Sequence, residues 1–308
     1  MRRRGWLRFY AFGRLTIIRV GMGGELPPVA NSLIFATKES VMEKFVMFGD
    51  TPIFYIDEGK GDAMVLLHGY LESSLIWDDF ASNLKRTNRV IRLDLPGHGL
   101  SGNHAEVHTM EYLADAVRHI LQLAGVDRCV MVGHSMGGYV TLAFAKKYPE
   151  MLKGFVLFHS TPNPDTDEKK QNRLREIELL NEDKLELIAR TTAPNAFARD
   201  NRKRFLDLIE ECVEMYYMND KDGVVAILNG MMAREDMNAL VADATIPHLF
   251  VFGMKDYYIS LEVAQGIASR FEKAEVLWLE NSGHMGFVEE KQKSLEALVV
   301  FTQKCFAQ

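Results

Sequence analysis

The run Val130-Met131-Val132-Gly133-His134-Ser135-Met136-Gly137-Gly138-Tyr139 leaves the backbone few choices. An apolar stretch ends in Gly-x-Ser-x-Gly, and Leu142, Phe144 and Ala145 then follow in a helical segment. Passing from strand to helix in so few residues puts the serine on a sharp bend, where a Cβ on either flanking glycine would collide with neighbouring backbone. A serine held in this way stands clear of its own strand and is a candidate nucleophile. The pattern alone is weak, since at ordinary glycine and serine frequencies a chain of this length contains one by accident roughly one time in ten. Its place between strand and helix gives it weight.

The rest of the chain repeats the same alternation. Lys44 to Phe48 and Ile53 to Asp57 flank the turn-rich Gly49-Asp50-Thr51-Pro52 and suit a β-hairpin. Short apolar runs at 63–67, 90–93, 129–132, 154–158, 248–252 and 274–279 read as buried parallel strands, with helical segments between them. The clearest helix follows Thr109, a candidate N-cap, and carries Leu113, Val117, Ile120, Leu121 and Ala124 on one face before Gly125 stops it. This order predicts an α/β fold, a mostly parallel sheet covered on both faces. The rhythm fails over residues 159–244, too long for one crossover helix and mostly helical in pattern, so an inserted helical cap is expected there, entered through Pro162 and Pro164 and left near Ile246-Pro247. The core is then residues 42–158 together with 245–308.

The net charge of −6 hides an uneven distribution, because residues 1–41 carry six Arg and one Lys against Glu25 and Glu39. The remainder is decidedly acidic, which argues against nucleic-acid binding through phosphate contacts. The basic start is broken by Arg8, Arg14 and Arg19 before any apolar stretch reaches signal-peptide length. It reads as a disordered leader or as a start assigned ahead of Met42. No run approaches the roughly 18 apolar residues of a membrane helix. Cys129, Cys212 and Cys305 are odd in number and lack CxxC spacing, so neither a disulfide framework nor a zinc cluster is expected. A reducing, cytoplasmic setting follows as the expectation.

A serine hydroxyl needs a base to take its proton, and the base needs a carboxylate to orient it. Asp256 follows the strand ending at Phe252 through Gly253-Met254-Lys255, and His284 follows the strand ending at Leu279 through Glu280-Asn281-Ser282-Gly283. With Ser135, both would sit just past strand C-termini, the edge of a parallel sheet where sites assemble. Acyl transfer also needs donors where charge develops on the carbonyl oxygen. The backbone N–H groups of Met136 and of Tyr70, after His68-Gly69, are the candidates. His68, the Tyr70 side chain and His159, at the end of the strand before the cap, are candidate substrate contacts. Asp165 and Asp167 also follow that strand, but the prolines before them direct them into the cap entry. No HExxH or comparable ligand cluster suggests a metal.

Together, His68-Gly69-Tyr70, Asp94-Leu95-Pro96-Gly97-His98-Gly99-Leu100-Ser101, Gly133-His134-Ser135-Met136-Gly137-Gly138, Gly253-Met254-Lys255-Asp256 and Gly283-His284 resemble the α/β-hydrolase superfamily over residues from about 43 to 306. The resemblance implies an eight-stranded sheet with its second strand antiparallel, a cap between the sixth and seventh strands, and a triad of Ser135, Asp256 and His284. Members that dehalogenate alkyl halides or open epoxides carry aspartate where this chain has Ser135, which disfavours those reactions. Asp94 and His98 read as structural parts of a loop beside the site.

The expected activity is a cofactor-independent serine hydrolysis of a small-molecule carboxylic ester or thioester through an acyl-enzyme. Amide, lactone or carbon–carbon bond hydrolysis at the same triad is the alternative, and a non-catalytic ligand receptor on this fold a more distant one. The cap's Met215, Tyr216, Tyr217, Met218, Met231, Met232 and Met237, with Phe197 and Phe205, suit either an adaptable apolar pocket or ordinary packing. Its charged runs, 165–170 and 182–184, read as solvated helix faces.

Overall fold

The computed structural model describes residues 42–308 and, ahead of them, three short strands: β1 (Leu7–Ala11), β2 (Arg14–Ile18) and β3 (Phe35–Ala36). The remainder of the expected leader lies outside the described residues. The chain divides into two units, Met1–Leu33 and Ile34–Gln308. In the first, β1 and β2 pair antiparallel, with Leu7 opposite Ile18.

The second unit is built on β4 (Met42–Phe48), β5 (Thr51–Gly59), β6 (Ala63–Leu67), β7 (Arg89–Leu93), β8 (Cys129–His134), β9 (Leu152–Phe158), β10 (His248–Gly253) and β11 (Glu275–Leu279). These are the eight expected strands, and the two-residue β3 adds an edge, giving the order β11-β10-β9-β8-β6-β7-β5-β4-β3. From β6 onward every neighbouring pair is parallel, whereas β5 runs antiparallel to both β4 and β7. Strands β6 and β8 are buried at every residue. Such uninterrupted burial requires cover on both faces of the sheet.

That cover comes from α1 (Asp78–Leu84), α2 (Met110–Leu123) and α3 (Met136–Lys147) in the first part of the chain. Thr109 caps α2 by accepting the Tyr112 N–H at 3.1 Å, the apolar stripe from Leu113 to Leu121 is buried, and Gly125 ends the helix at a φ of 65°. Between β9 and β10 run α4 (Asp167–Asn181), α5 (Leu185–Ala196), α6 (Leu206–Tyr217), α7 (Lys221–Ala233) and α8 (Asn238–Ala242). This helical insert leaves and rejoins the sheet between adjacent strands, since His248 pairs with Phe155. The chain closes with α9 (Leu261–Arg270), α10 (Gly286–Glu289) and α11 (Lys291–Phe306). Among the described residues no helix is long and apolar enough to cross a membrane.

Candidate active site

Ser135 joins β8 to α3 with φ 50° and ψ −114°, a conformation that an L-residue adopts only under constraint. The constraint is visible: Ser135 N–H donates to the Phe158 carbonyl at 2.9 Å, and its carbonyl accepts from Gly138 N–H at 3.0 Å and Ser160 Oγ at 2.7 Å. The glycines are steric necessities. A Cβ on Gly133 would lie 2.2 Å from the Gly137 carbonyl oxygen, and one on Gly137 would lie 2.5 Å from that of Leu67. Met136 opens α3, and its N–H is one of the helix-start donors that no turn of the helix can satisfy.

Asp256 and His284 stand on the loops after β10 and β11. Their side chains meet, with His284 Nδ1 2.7 Å from Asp256 Oδ2, while Asp256 Oδ1 accepts the N–H groups of Tyr258 at 2.8 Å and Ile259 at 3.2 Å. Burial opposes ionisation of Asp256, but His284 and His159 outweigh it and hold the carboxyl well below the usual carboxylate range. An ionised Asp256 accepts a hydrogen bond from His284 Nδ1–H and so keeps the ring proton on Nδ1, which leaves the Nε2 lone pair free. The edge of Tyr258 packs on the imidazole with ring centroids 4.9 Å apart, and the Ala196 carbonyl at the end of α5 accepts His284 N–H at 2.7 Å.

His159, expected as a substrate contact, lines the cavity yet has its ring engaged by the protein. It is fully buried at a φ of 47°; Gly286 N–H donates to Nε2 at 3.0 Å, and Nδ1 lies 3.4 Å from Asp256 Oδ2. Burial, opposed by Asp256, pushes its imidazole down to about 4. The ligand atoms of His159, Asp256 and His284 lie within 4.8 Å of one another, close enough to be weighed as a metal site. A tetrahedral ion with ligands at about 2.0–2.1 Å would keep them about 3.4 Å apart. The 2.7 Å contact between Asp256 and His284 is that of two groups sharing a proton.

The loop after β6 supplies the other wall. Gly69 N–H donates to Glu72 Oε2 at 2.6 Å and Leu71 N–H to His98 Nε2 at 3.2 Å, but Tyr70 N–H between them has no intrachain acceptor among the described residues. His68 does not line the cavity. Its Nδ1 bonds the Gly69 carbonyl at 2.8 Å and its Nε2 the Leu95 amide at 2.9 Å, so it braces this loop from beneath. Asp94 does likewise, taking the N–H groups of Ser74 at 2.7 Å and Leu100 at 2.8 Å.

Ser135, His284, Tyr70, His159 and Tyr258 all border one cavity of about 400 Å³. Of the cap residues singled out in the sequence, Tyr216 and Met231 reach it, whereas Tyr217 and Met218 are exposed. The wall has a different chemistry from the one those residues suggested. Lys169, Asn172, Arg173 and Glu176, at i, i+3, i+4 and i+7 of α4, face the cavity, and Glu176 Oε1 accepts the Tyr70 hydroxyl at 2.8 Å. The run 165–170 is therefore not wholly a solvated face. Asp165 is buried, 2.6 Å from Arg173 Nε and 2.7 Å from Arg234 Nη1, and Asp167 is exposed in the first turn of α4. Neither contacts His284.

Sequence reasoning also missed the buried pair behind Ser135. Glu72 Oε2 lies 2.8 Å from His134 Nδ1, and His134 Nε2 lies 2.9 Å from the His284 carbonyl. Glu72 follows a His-Gly turn, where a glutamate reads as a solvent-facing loop residue. The only available signal was the position of His134 beside the serine.

A strand-borne serine on a strained turn, backed by a carboxylate–histidine pair from later strand ends, defines a hydrolase of the α/β type. Residues 62–291 match the family model for the alpha/beta hydrolase fold, and the chain belongs to that family. It is 26% identical over 255 residues to pimeloyl-[acyl-carrier protein] methyl ester esterase of Yersinia enterocolitica, covering 80% of this chain and 95% of that protein. Among solved structures, a thermophilic esterase from Thermogutta terrifontis superposes with a TM-score of 0.79 at 27% identity, over 90% of this chain and 99% of the other. An enol-lactonase from Burkholderia xenovorans, 20% identical with a TM-score of 0.77 over 83% of this chain and 98% of its own, shares the fold.

Proposed function

We propose that the protein hydrolyses carboxylic esters of small molecules through an acyl-enzyme on Ser135, with residues 159–244 acting as a cap over the site. The observation that carries the reading is the 2.7 Å Asp256–His284 pair, which bares His284 Nε2 in the cavity that Ser135 also borders. Ser135 Oγ attacks the carbonyl carbon while its proton passes to His284 Nε2. The oxygen that gains charge sits against the unspent N–H groups of Tyr70 and Met136. Collapse of the tetrahedral species breaks the ester C–O bond, and the departing alkoxide takes the proton from His284. Water then enters, loses a proton to the same nitrogen, and attacks the acyl carbon. Ser135 leaves with that proton, releasing the acid. Asp256 holds the imidazole tautomer throughout and stabilises its cationic form. The similarity to esterases in sequence and in structure supports the ester as the bond cleaved.

Labelling with a fluorophosphonate, with Ser135→Ala as the control, tests the nucleophile. The wild type should label and turn over nitrophenyl esters, and the variant should do neither. Equal labelling of the two proteins would remove Ser135 from the mechanism, while labelling without ester turnover would move the reading to amide, lactone or carbon–carbon bonds.

A further inference from the structure

The α4 wall is unusual for a cavity built to receive only an uncharged acyl chain. Arg173 spends Nε and Nη2 on Asp165, at 2.6 and 3.3 Å, and this two-point grip fixes the guanidinium plane. Its Nη1 has no acceptor among the described residues, although the residue borders the cavity. Asp165 is shared with Arg234, whose Nη1 is 2.7 Å away and whose guanidinium also lies 4.0 Å from the centroid of the Tyr139 ring, another cavity residue. One carboxylate thus serves two guanidinium groups, and this cluster carries an excess positive charge. One turn earlier on the same face, Lys169 has no carboxylate partner among the described residues, and Asn172 lies between them with its amide. The remaining charge on this face, Glu176, is engaged by the Tyr70 hydroxyl at 2.8 Å, and burial raises its pKa above the usual glutamate value.

We infer that Lys169, Asn172 and Arg173 bind an anionic oxygen group, a carboxylate or a phosphate, carried by the substrate whose ester bond meets Ser135. The inference deepens the proposed esterase reading and rests on it for the reaction, though not for the binding. Tyr70 fixes the relation between the two subsites, because its amide faces the reacting oxygen while its hydroxyl holds α4 through Glu176. A substrate then lies across the cavity with its ester at the strand ends and its anion against the insert. Attraction of this kind in a cavity open to solvent weakens with salt.

The test compares kcat/KM for a neutral ester, its carboxylate-terminated counterpart and its phosphate-terminated counterpart, over a series of spacer lengths at low ionic strength. At some spacer length one anionic form should exceed the neutral ester by about tenfold or more, as a charge-assisted contact worth one decade requires. Which anion wins identifies its source. Lys169 is exposed, so Lys169→Glu should fold, and it should bring that ratio down to about one or below, while Lys169→Arg should preserve it. Ratios near one at every spacer length, or a ratio unmoved by Lys169→Glu, would overturn the inference with the esterase reading intact. Calorimetric binding of the same ligands separates the two ideas. Tighter binding of the anionic form that Lys169→Glu abolishes, without turnover of any ester, would keep the anion site and sink the esterase reading. Equal binding of anionic and neutral forms would sink the anion site.

Discussion

Glu72 Oε2 lies 2.8 Å from His134 Nδ1, and the same oxygen accepts Gly69 N–H at 2.6 Å, so one buried carboxylate joins the Tyr70 loop to the residue preceding Ser135. His134 continues the line to the His284 carbonyl at 2.9 Å. The three loops that supply the proposed oxyanion donor, nucleophile and base are therefore fastened at the cavity wall by a single pair, since both Glu72 and His134 border the cavity.

Removing Glu72 should cost the fold more than a surface change. Glu72→Ala leaves His134 and Gly69 N–H unpaired in the interior, and breaking one side of a buried pair destabilises by about 3–5 kcal/mol. Urea unfolding should show that loss for Glu72→Ala and a smaller one for Glu72→Gln, which still accepts from Gly69. Burial favours the uncharged forms, yet mutual attraction prevails, lowering Glu72 from 4.5 and raising His134 from 6.5. A lowered carboxyl stabilises above its unfolded value and a raised imidazole stabilises fully below its own, so the pair contributes most between pH 4.5 and 6.5. The contribution declines as pH rises through the raised value of His134. Equal stability of wild type and Glu72→Ala at about pH 6 would exclude an ion pair here.

The parts of this site that were legible in the sequence are those whose signal is local. The turn at Ser135 is forced by the glycines on either side of it, and Asp256 and His284 each follow an apolar strand by a few residues. The fold was legible for the same reason, since buried strands and the stripe on α2 print their periods directly. Glu72 and His134 are 62 residues apart, and no local pattern announces that they touch. The face of α4 was hidden differently, because Lys169, Asn172 and Arg173 have the same polar character whether they meet bulk water or a cavity. His159 shows a third limit. Its place at a strand end was visible, but its hold on Asp256 depends on loops from β10 and β11.

Acidification should weaken the fold through His159. Its folded pKa lies at about 4 against an ordinary 6.5, so as pH falls through that interval the unfolded chain takes up a proton that the folded chain refuses. Stability is lost as the pH descends, by on the order of 3 kcal/mol from this residue if nothing else titrates. Asparagine tolerates a left-handed backbone, so His159→Asn can keep the local φ of 47°. Unfolding free energies measured across the interval should fall less for the variant than for the wild type. Parallel pH profiles would show that His159 accepts its proton in the folded state.

Asp256→Asn should leave the architecture standing and abolish most of the rate. An amide nitrogen facing His284 Nδ1 favours the proton on Nε2, the position that must be vacant to receive the proton of Ser135. The corresponding change in an enzyme with this arrangement costs about 10⁴-fold in kcat. Steady-state kinetics on a nitrophenyl ester should show a loss of that order in kcat with KM little altered. A fall of less than about tenfold would mean that Asp256 does not set the tautomer.

Gly137→Ala tests whether the spacing between the two proposed oxyanion donors matters. The added Cβ would stand 2.5 Å from the Leu67 carbonyl oxygen and 2.8 Å from that of His68, and these are backbone atoms that cannot swing aside. Relief requires α3 and the loop after β6 to separate, which moves Met136 N–H away from Tyr70 N–H. Overpacking of this kind costs about 1–3 kcal/mol of stability. A displacement of about 1 Å at the reacting centre can cost on the order of 10²-fold in rate. The variant should therefore remain folded, with a lower melting temperature, and lose about 10²-fold in kcat/KM. Fluorophosphonate labelling should slow in parallel, because phosphonylation develops charge on an oxygen in the same place. Normal kinetics in a folded Gly137→Ala protein would mean that the oxyanion is held elsewhere than between Tyr70 and Met136.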